Sequence, residues 1–409
     1  MEHAYMGEVL SAMGEIVNLD LAERDVRLAV LGSLAGTLGF KSMYDLAVTA
    51  EVPKDRLYRS VEAFNQGRYL RALRRHGRRQ LVRHLKRIKG MSASTRSRNW
   101  VTLAGDDFTS RRRGNLDGMT YFWWNGGQKR VTLGLNIQVL AAILGDGDDV
   151  LILDVRLVVP PHDGPGAPPS KKTDWMAAAI DRLGRDLQRE GLDFSDCVGS
   201  VDQAYIGPSL RATLEKHHLP LVSTLPLQRR VEGTLVPGVV VNARGHDWHR
   251  WWVKLNEDSL RPMQGEEGVT YIRTTVDVPS IGQVVMINIR KDGDDAVIFT
   301  TGLSMKAVTA LRVARRRWHL ERVFWNLQQN LGIGGVRHTA GPKVLARVYF
   351  LMLLHSAIRR VAKRHRLSIG DLCKVLHRHR LAIIAELRSG SAFSCGNLPR
   401  PVPPEGLAA

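Results

Sequence analysis

The residues able to do chemistry in this chain are acids set among bases. In "RVARRRWHLERVFWNLQQNLGIGG" (312–335), Glu321 follows a cluster of arginines that ends in Arg315, Arg316 and Arg317. Residues three, four and seven apart share one side of a helix. Glu321 therefore lies beside Arg317 and Trp318 on one turn and beside Trp325 and Gln328 on the next, while Leu320, Phe324, Leu327 and Leu331 form the adjacent apolar stripe. An ion pair with Arg317 is the commonest role for such a glutamate. A second role comes from acids elsewhere: Asp106 and Asp107 end the apolar stretch "WVTLAGDDF", and Asp202 ends the strand in "CVGSVDQAYI". Carboxylates at strand ends, joined by one from a helix packed on the sheet, can converge on one point. Their mutual repulsion then calls for cations, and an all-oxygen donor set suits Mg²⁺, with Mn²⁺ as a substitute.

These acids need elements to position them. Strand-like segments at 130–144 and 149–161 are apolar enough for burial on both faces. A helix over 173–191, with a Thr or Asp start and a Gly stop, leads to the Asp202 strand. "PSLRATLEKHH" then reads as a helix and "LPLVSTL" as a strand. Three strands, helix, strand, helix, strand predicts an α/β, RNase H-like mixed sheet flanked by helices. A β-rich insertion interrupts it, with Trp248, Trp251 and Trp252 among bases; these indoles form a small core or stack on unpaired nucleotides. The expected division is a helical DNA-binding domain at 1–95, a catalytic domain in two parts at 96–225 and 296–366, the insertion at 226–295, and a C-terminal helix and tail at 367–409.

Charge points the same way. The chain has 409 residues, 59 Lys+Arg against 40 Asp+Glu, and a formal net charge of +19, which argues for a polyanionic partner. Its 44% hydrophobic content is ordinary for a globular protein. "MYDLAVTAEVPKDRLYRSVEAF" reads as two helices about a turn at Val52 and Pro53, like a helix-turn-helix, with Lys54, Arg56 and Arg59 early in the second. Any two packed helices give the same pattern. The basic segment at 68–89, which includes Arg74 and Arg78, holds eight arginines, two lysines and no acid, and suits DNA phosphates or a membrane surface. The most apolar run, "VYFLMLLHSAI", is short and flanked by arginines, so it predicts a core helix rather than a span. Acids near the N-terminus do not fit a secretory signal. Cys197, Cys373 and Cys395, odd in number and without paired spacing, predict reduced thiols and a cytoplasmic, nucleoid-associated location. His365, His377 and His379 lack acid or cysteine neighbours and read as exposed or DNA-facing.

Three blocks resemble the DDE transposases of bacterial insertion sequences, over roughly 97–358. "LAGDDFTSRRRG" resembles the family's first-aspartate strand. "VGSVDQAYIG" resembles its second-aspartate block, with Tyr205 three residues after the acid. The helix with Arg317, Trp318, Glu321 and Phe324 resembles its glutamate helix. The longer interval before Glu321 suits a member with a β-insertion at that point. Three departures stand out: Ala314 where the family often has Tyr, Gln328 where it often has Lys, and Phe108 in place of the first block's Thr. Either Asp106 or Asp107 is then the first catalytic acid, with Asp106 favoured by the family's spacing. The resemblance implies metal-dependent cleavage at element ends and transfer of the freed 3′-hydroxyls into target DNA. Asp106, Asp202 and Glu321 would be the metal ligands. Arg315, Arg316, Arg317, Trp318 and Trp325 would lie against double-stranded DNA, with a homodimer pairing two ends and no membrane involved. The rival readings are a catalytically inactive, domesticated DNA-binding protein and a nuclease of the same fold without strand transfer.

Overall fold

The computed structural model describes the chain except residues 1, 18–22, 41, 64–65, 93–94, 96–98, 112–118, 126–129, 146–148, 159–171, 225–230, 237–238, 244–259, 279–280, 335–340 and 390–409. The insertion's tryptophans at 248, 251 and 252 and the tail lie outside the described residues. Two compact units are present, and they do not follow chain order: Met1–Leu73 with Asn326–Ala409, and Arg74–Trp325. The divisions fall inside two helices.

The first unit is helical. It contains α1 (Glu2–Val17), α2 (Arg24–Leu34), α3 (Met43–Thr49), α4 (Lys54–Ala63) and the start of α5 (Gln66–Lys89). Ser42 caps α3 by accepting from the Asp45 amide at 3.1 Å, and the chain turns at Pro53 into α4. The N-terminal helices join the C-terminal ones through ion pairs such as Glu8 with Arg364 and Glu15 with Arg360, both at 2.6 Å.

The second unit is mixed α/β around one open mixed sheet. Its elements are β1 (Val101–Arg111), β2 (Tyr121–Asn125), β3 (Arg130–Leu144), β4 (Asp149–Val158), α6 (Lys172–Arg189), β5 (Cys197–Val201), α7 (Pro208–Lys216), β6 (Leu221–Thr224), β7 (Val231–Val236), β8 (Val239–Ala243), β9 (Arg261–Pro262), β10 (Val269–Val278), β11 (Gly282–Lys291), β12 (Asp294–Thr300) and α8 (Ala307–Gln329). Three helices close the chain: α9 (Gly341–Arg364), α10 (Ile369–Arg378) and α11 (Arg380–Ser389). Val348 to Ile358 of α9 are all buried, as an all-round apolar helix requires. Among the described residues, no helix is long and apolar enough to cross a membrane.

In the sheet, β3 pairs antiparallel with β1 and β4, whereas β5 runs parallel to both β1 and β6. The segment expected as a β-insertion is hydrogen-bonded into the same sheet, because β12 pairs with β6, β11 with β12 and β10 with β11. One face of β11 (Val285, Ile287, Ile289) packs with Ala310, Leu311 and Val313 of α8. The insertion thereby seats the first turns of the helix that carries Glu321. On the other side of the sheet, α6 lies so close to β1 that a Cβ on Gly105 would stand 2.6 Å from the Met176 methyl. A side chain there would have to displace the end of Met176.

Candidate active site

Register brings the two aspartates together. Gly105 of β1 pairs with Val201 of the parallel strand β5, so Asp106 and Asp202 are each one step beyond the last paired residues. Neighbouring strands stand about 4.8 Å apart. The Asp202 amide donates to the Gly105 carbonyl at 3.3 Å, and its Oδ1 caps the short turn Gln203–Tyr205 by accepting from the Gln203 amide at 2.7 Å.

Strand alternation separates Asp106 from Asp107. Asp106 and Phe108 face α8. Phe108 stacks on Phe324 with ring centroids 4.5 Å apart, and Arg317 donates to Asp106 Oδ2. Asp107 faces the side covered by α6, where its carboxylate accepts from Lys172 Nζ (2.8 Å), Tyr205 Oη (2.7 Å) and Asn136 Nδ2 (2.5 Å). Gln138 extends this network, donating to Tyr205 Oη at 3.1 Å and accepting from Arg156 at 2.9 Å. Asp107 is thus held as a structural anion, and Asp106 is the acid that meets the glutamate helix. Phe108 itself docks α8 onto β1 through its stack on Phe324.

The charges of Arg317 and Asp202 bear on both Asp106 and Glu321. Burial pushes the Asp106 carboxyl up to about 7, against the pull of Arg317 and of the Asp107 amide, and the charges of Asp202 and Asp107 push it further. Burial also raises Glu321, with Arg317 opposing and Asp202 adding to the rise. Arg317 Nη1 stands 3.9 Å from Glu321 Oε1, so its guanidinium reaches both acids and is bonded to Asp106. The simple Arg317–Glu321 pair is therefore the weaker of the two contacts. Among the described residues, no three His, Cys, Asp or Glu side chains are already gathered in a ligating arrangement. The donor chemistry nonetheless fits a hard divalent cation, with oxygen-only ligands that repel one another and an arginine as the present counter-charge.

The other candidates divide. Trp318 and Trp325, at 60% and 57% exposure, flank Glu321 on the outer face of α8, while Leu320, Phe324, Leu327 and Leu331 are buried as their spacing predicts. Arg315 pairs with Glu266 of the β9–β10 turn at 2.5 Å, and Arg316 donates to the Trp100 carbonyl at 3.0 Å. Both bind the helix to the protein, leaving Arg317 as the arginine at the carboxylates. Arg74 and Arg78 turn inward to Asp154 (2.8 Å) and Asp186 (3.2 Å), acids that no reading of α5 alone could supply. In α4, Lys54 and Arg59 are exposed, whereas Arg56 is half-buried and 3.5 Å from Asp25. Sequence reasoning missed the Lys172–Asn136–Gln138 side of the site. Its signal was present as polar Asn136 and Gln138 within the otherwise apolar strand at 130–144.

No protein family matches the chain, and no curated protein matches it either.

Proposed function

We propose that the chain is a DDE transposase with an RNase H-like catalytic unit, cutting DNA at element ends and joining the freed 3′-hydroxyls to target DNA. The observation that carries this reading is the placement of three acids: Asp106 and Asp202 each stand one step beyond the last paired residues of the parallel strands β1 and β5, the charge of Asp202 bears on both Asp106 and Glu321, and Arg317 of α8 reaches both Asp106 and Glu321. The chain order of four antiparallel strands, helix, strand, helix, strand supports the fold reading.

In this reading Asp106, Asp202 and Glu321 would hold Mg²⁺ or Mn²⁺, which would supply activation of the attacking water or 3′-hydroxyl and stabilisation of the leaving 3′-oxygen. The protein's own groups do the positioning. The Phe108–Phe324 stack sets Glu321 over β1, and the Asp107–Tyr205 bond fixes the turn that begins at Asp202. Arg317 offsets the cluster's negative charge and turns to the phosphate when cations take that task. Trp318 and Trp325 offer exposed indole faces to the DNA beside Glu321. Two copies on paired ends complete the working assembly.

The test uses DNA carrying the repeats that flank the gene, incubated with purified protein and Mg²⁺ or Mn²⁺. Transposition requires cuts at the repeat ends and joined products with a target duplex. Cuts without joining favour a nuclease, and binding without cuts favours the inactive DNA-binding protein.

A further inference from the structure

Helix α5 carries ten bases and no acid, and the structure sorts them. Arg74 finds Asp154 on β4, Arg78 finds Asp186 in α6, and Lys86 finds Glu190, just after α6, at 3.0 Å. Arg75, Arg79 and Arg83 are exposed. Among the described residues, no ion pair or side-chain hydrogen bond engages these three.

Their placement is regular. They recur every four residues and rise about 12 Å from first to last along the axis. At about 100° per residue they centre on the side of the helix opposite Leu81, Leu85 and Ile88, which are 0%, 3% and 0% exposed in the core of the sheet unit. On that inner side Gly77 approaches β4 so closely that a Cβ would stand 2.3 Å from the Ile152 carbonyl oxygen. This argues against a lipid partner. A basic helix that lies in a membrane surface needs its apolar face free to enter the acyl boundary, and here that face is spent on the protein core. What remains outward is guanidinium without apolar surface, the chemistry that meets phosphate oxygens.

We propose that Arg75, Arg79 and Arg83 form a track for the phosphates of duplex DNA that binds without reading bases. The choice of DNA as the polyanion rests on the proposed function, but the track does not depend on the carboxylate cluster.

The test is binding of the full chain to a duplex of arbitrary sequence, in EDTA, across a salt series. Each phosphate contact contributes about 0.9 to the slope of log K against log salt. The triple variant Arg75→Gln, Arg79→Gln, Arg83→Gln should lower that slope by about 2.7, and each single by about 1. Its melting temperature should stay near the wild type's, because no internal partner is lost. The control triple Arg185→Gln, Arg189→Gln, Arg211→Gln removes the same formal charge from arginines that already pair with acids on their own helices, and should leave the slope unchanged. An unchanged slope in the first triple overturns the proposal, as does an equal fall in both triples, which would mark a net-charge effect. Loss of binding to phosphatidylserine vesicles with the DNA slope intact would overturn it in favour of a lipid surface. EDTA removes catalysis from this measurement, so a chain that tracks DNA but never cuts it would sink the transposase reading alone.

Discussion

Tyr205 donates its phenolic proton to Oδ1 of Asp107 at 2.7 Å, and through that bond the turn beginning at Asp202 is tied to the strand carrying Asp106. Burial pushes the phenol well above its ordinary pKa, with the negative charge of Asp107 adding to the rise, so it stays a donor throughout the working range. Tyr205→Phe should lower stability by about 1.5–3 kcal/mol, the ordinary value of a hydrogen bond to a charged partner. It should slow strand cleavage at least tenfold while leaving DNA affinity unchanged. Thermal melts, cleavage rates and anisotropy on one preparation separate these effects. Equal losses in binding and cleavage would indicate a general disturbance instead.

Asp106 and Asp107 should part company on substitution. Asp106→Asn should abolish cleavage and leave the fold standing. Asp107→Asn should cost stability instead, about 2–3 kcal/mol, because it leaves the ammonium of Lys172 without its carboxylate. Urea unfolding of both variants beside their cleavage rates checks this. A stable Asp107→Asn protein that no longer cuts would reverse the assignment.

The raised carboxyl of Asp106 sets a pH dependence of stability in metal-free protein. Its value rises from 3.8 to about 7, chiefly through burial. Between those values the native state binds the proton more tightly than the unfolded chain, so stability falls as pH rises towards 7. The limit is about 1.4 kcal/mol per pH unit. Melting in EDTA from pH 4.5 to 7.5 should show this fall in the wild type and a flatter profile in Asp106→Asn. Parallel profiles would mean that the cluster does not hold Asp106 protonated.

Phe108→Ala should detach the glutamate helix from β1. Losing a stacked aromatic in a core costs about 3 kcal/mol or more. Phe108→Leu keeps most of the volume and should lose cleavage more than stability, since Glu321 is then less firmly placed. Full activity in Phe108→Leu would show that the insertion's contacts with α8 suffice.

Much of this arrangement was legible in residue order. The apolar stripe of Leu320, Phe324, Leu327 and Leu331 faces inward as its spacing demands, and the strands and helices around Asp202 follow the pattern of apolar runs and caps. What was not legible is which side of β1 each aspartate faces. "WVTLAGDDF" is buried on both sides, so its alternation carries no polar face to orient it. Long-range partners were equally hidden. Arg74 and Arg78 look like free charges in α5 until Asp154 and Asp186 come into reach, and Arg315 looks like a phosphate clamp until Glu266 meets it. The ion pairs that join the N-terminal helices to partners near the other end of the chain were hidden for the same reason.

The central claim is that Glu321 is a metal ligand rather than a surface ion-pair partner. Its most direct test compares wild type and Glu321→Gln on duplexes bearing the element ends, with Mg²⁺ or Mn²⁺, scoring cleavage and binding together. A metal-ligating Glu321 gives metal-dependent cuts by the wild type, none by the variant, and equal DNA affinity for both. Cleavage by the variant at the wild-type rate would contradict it.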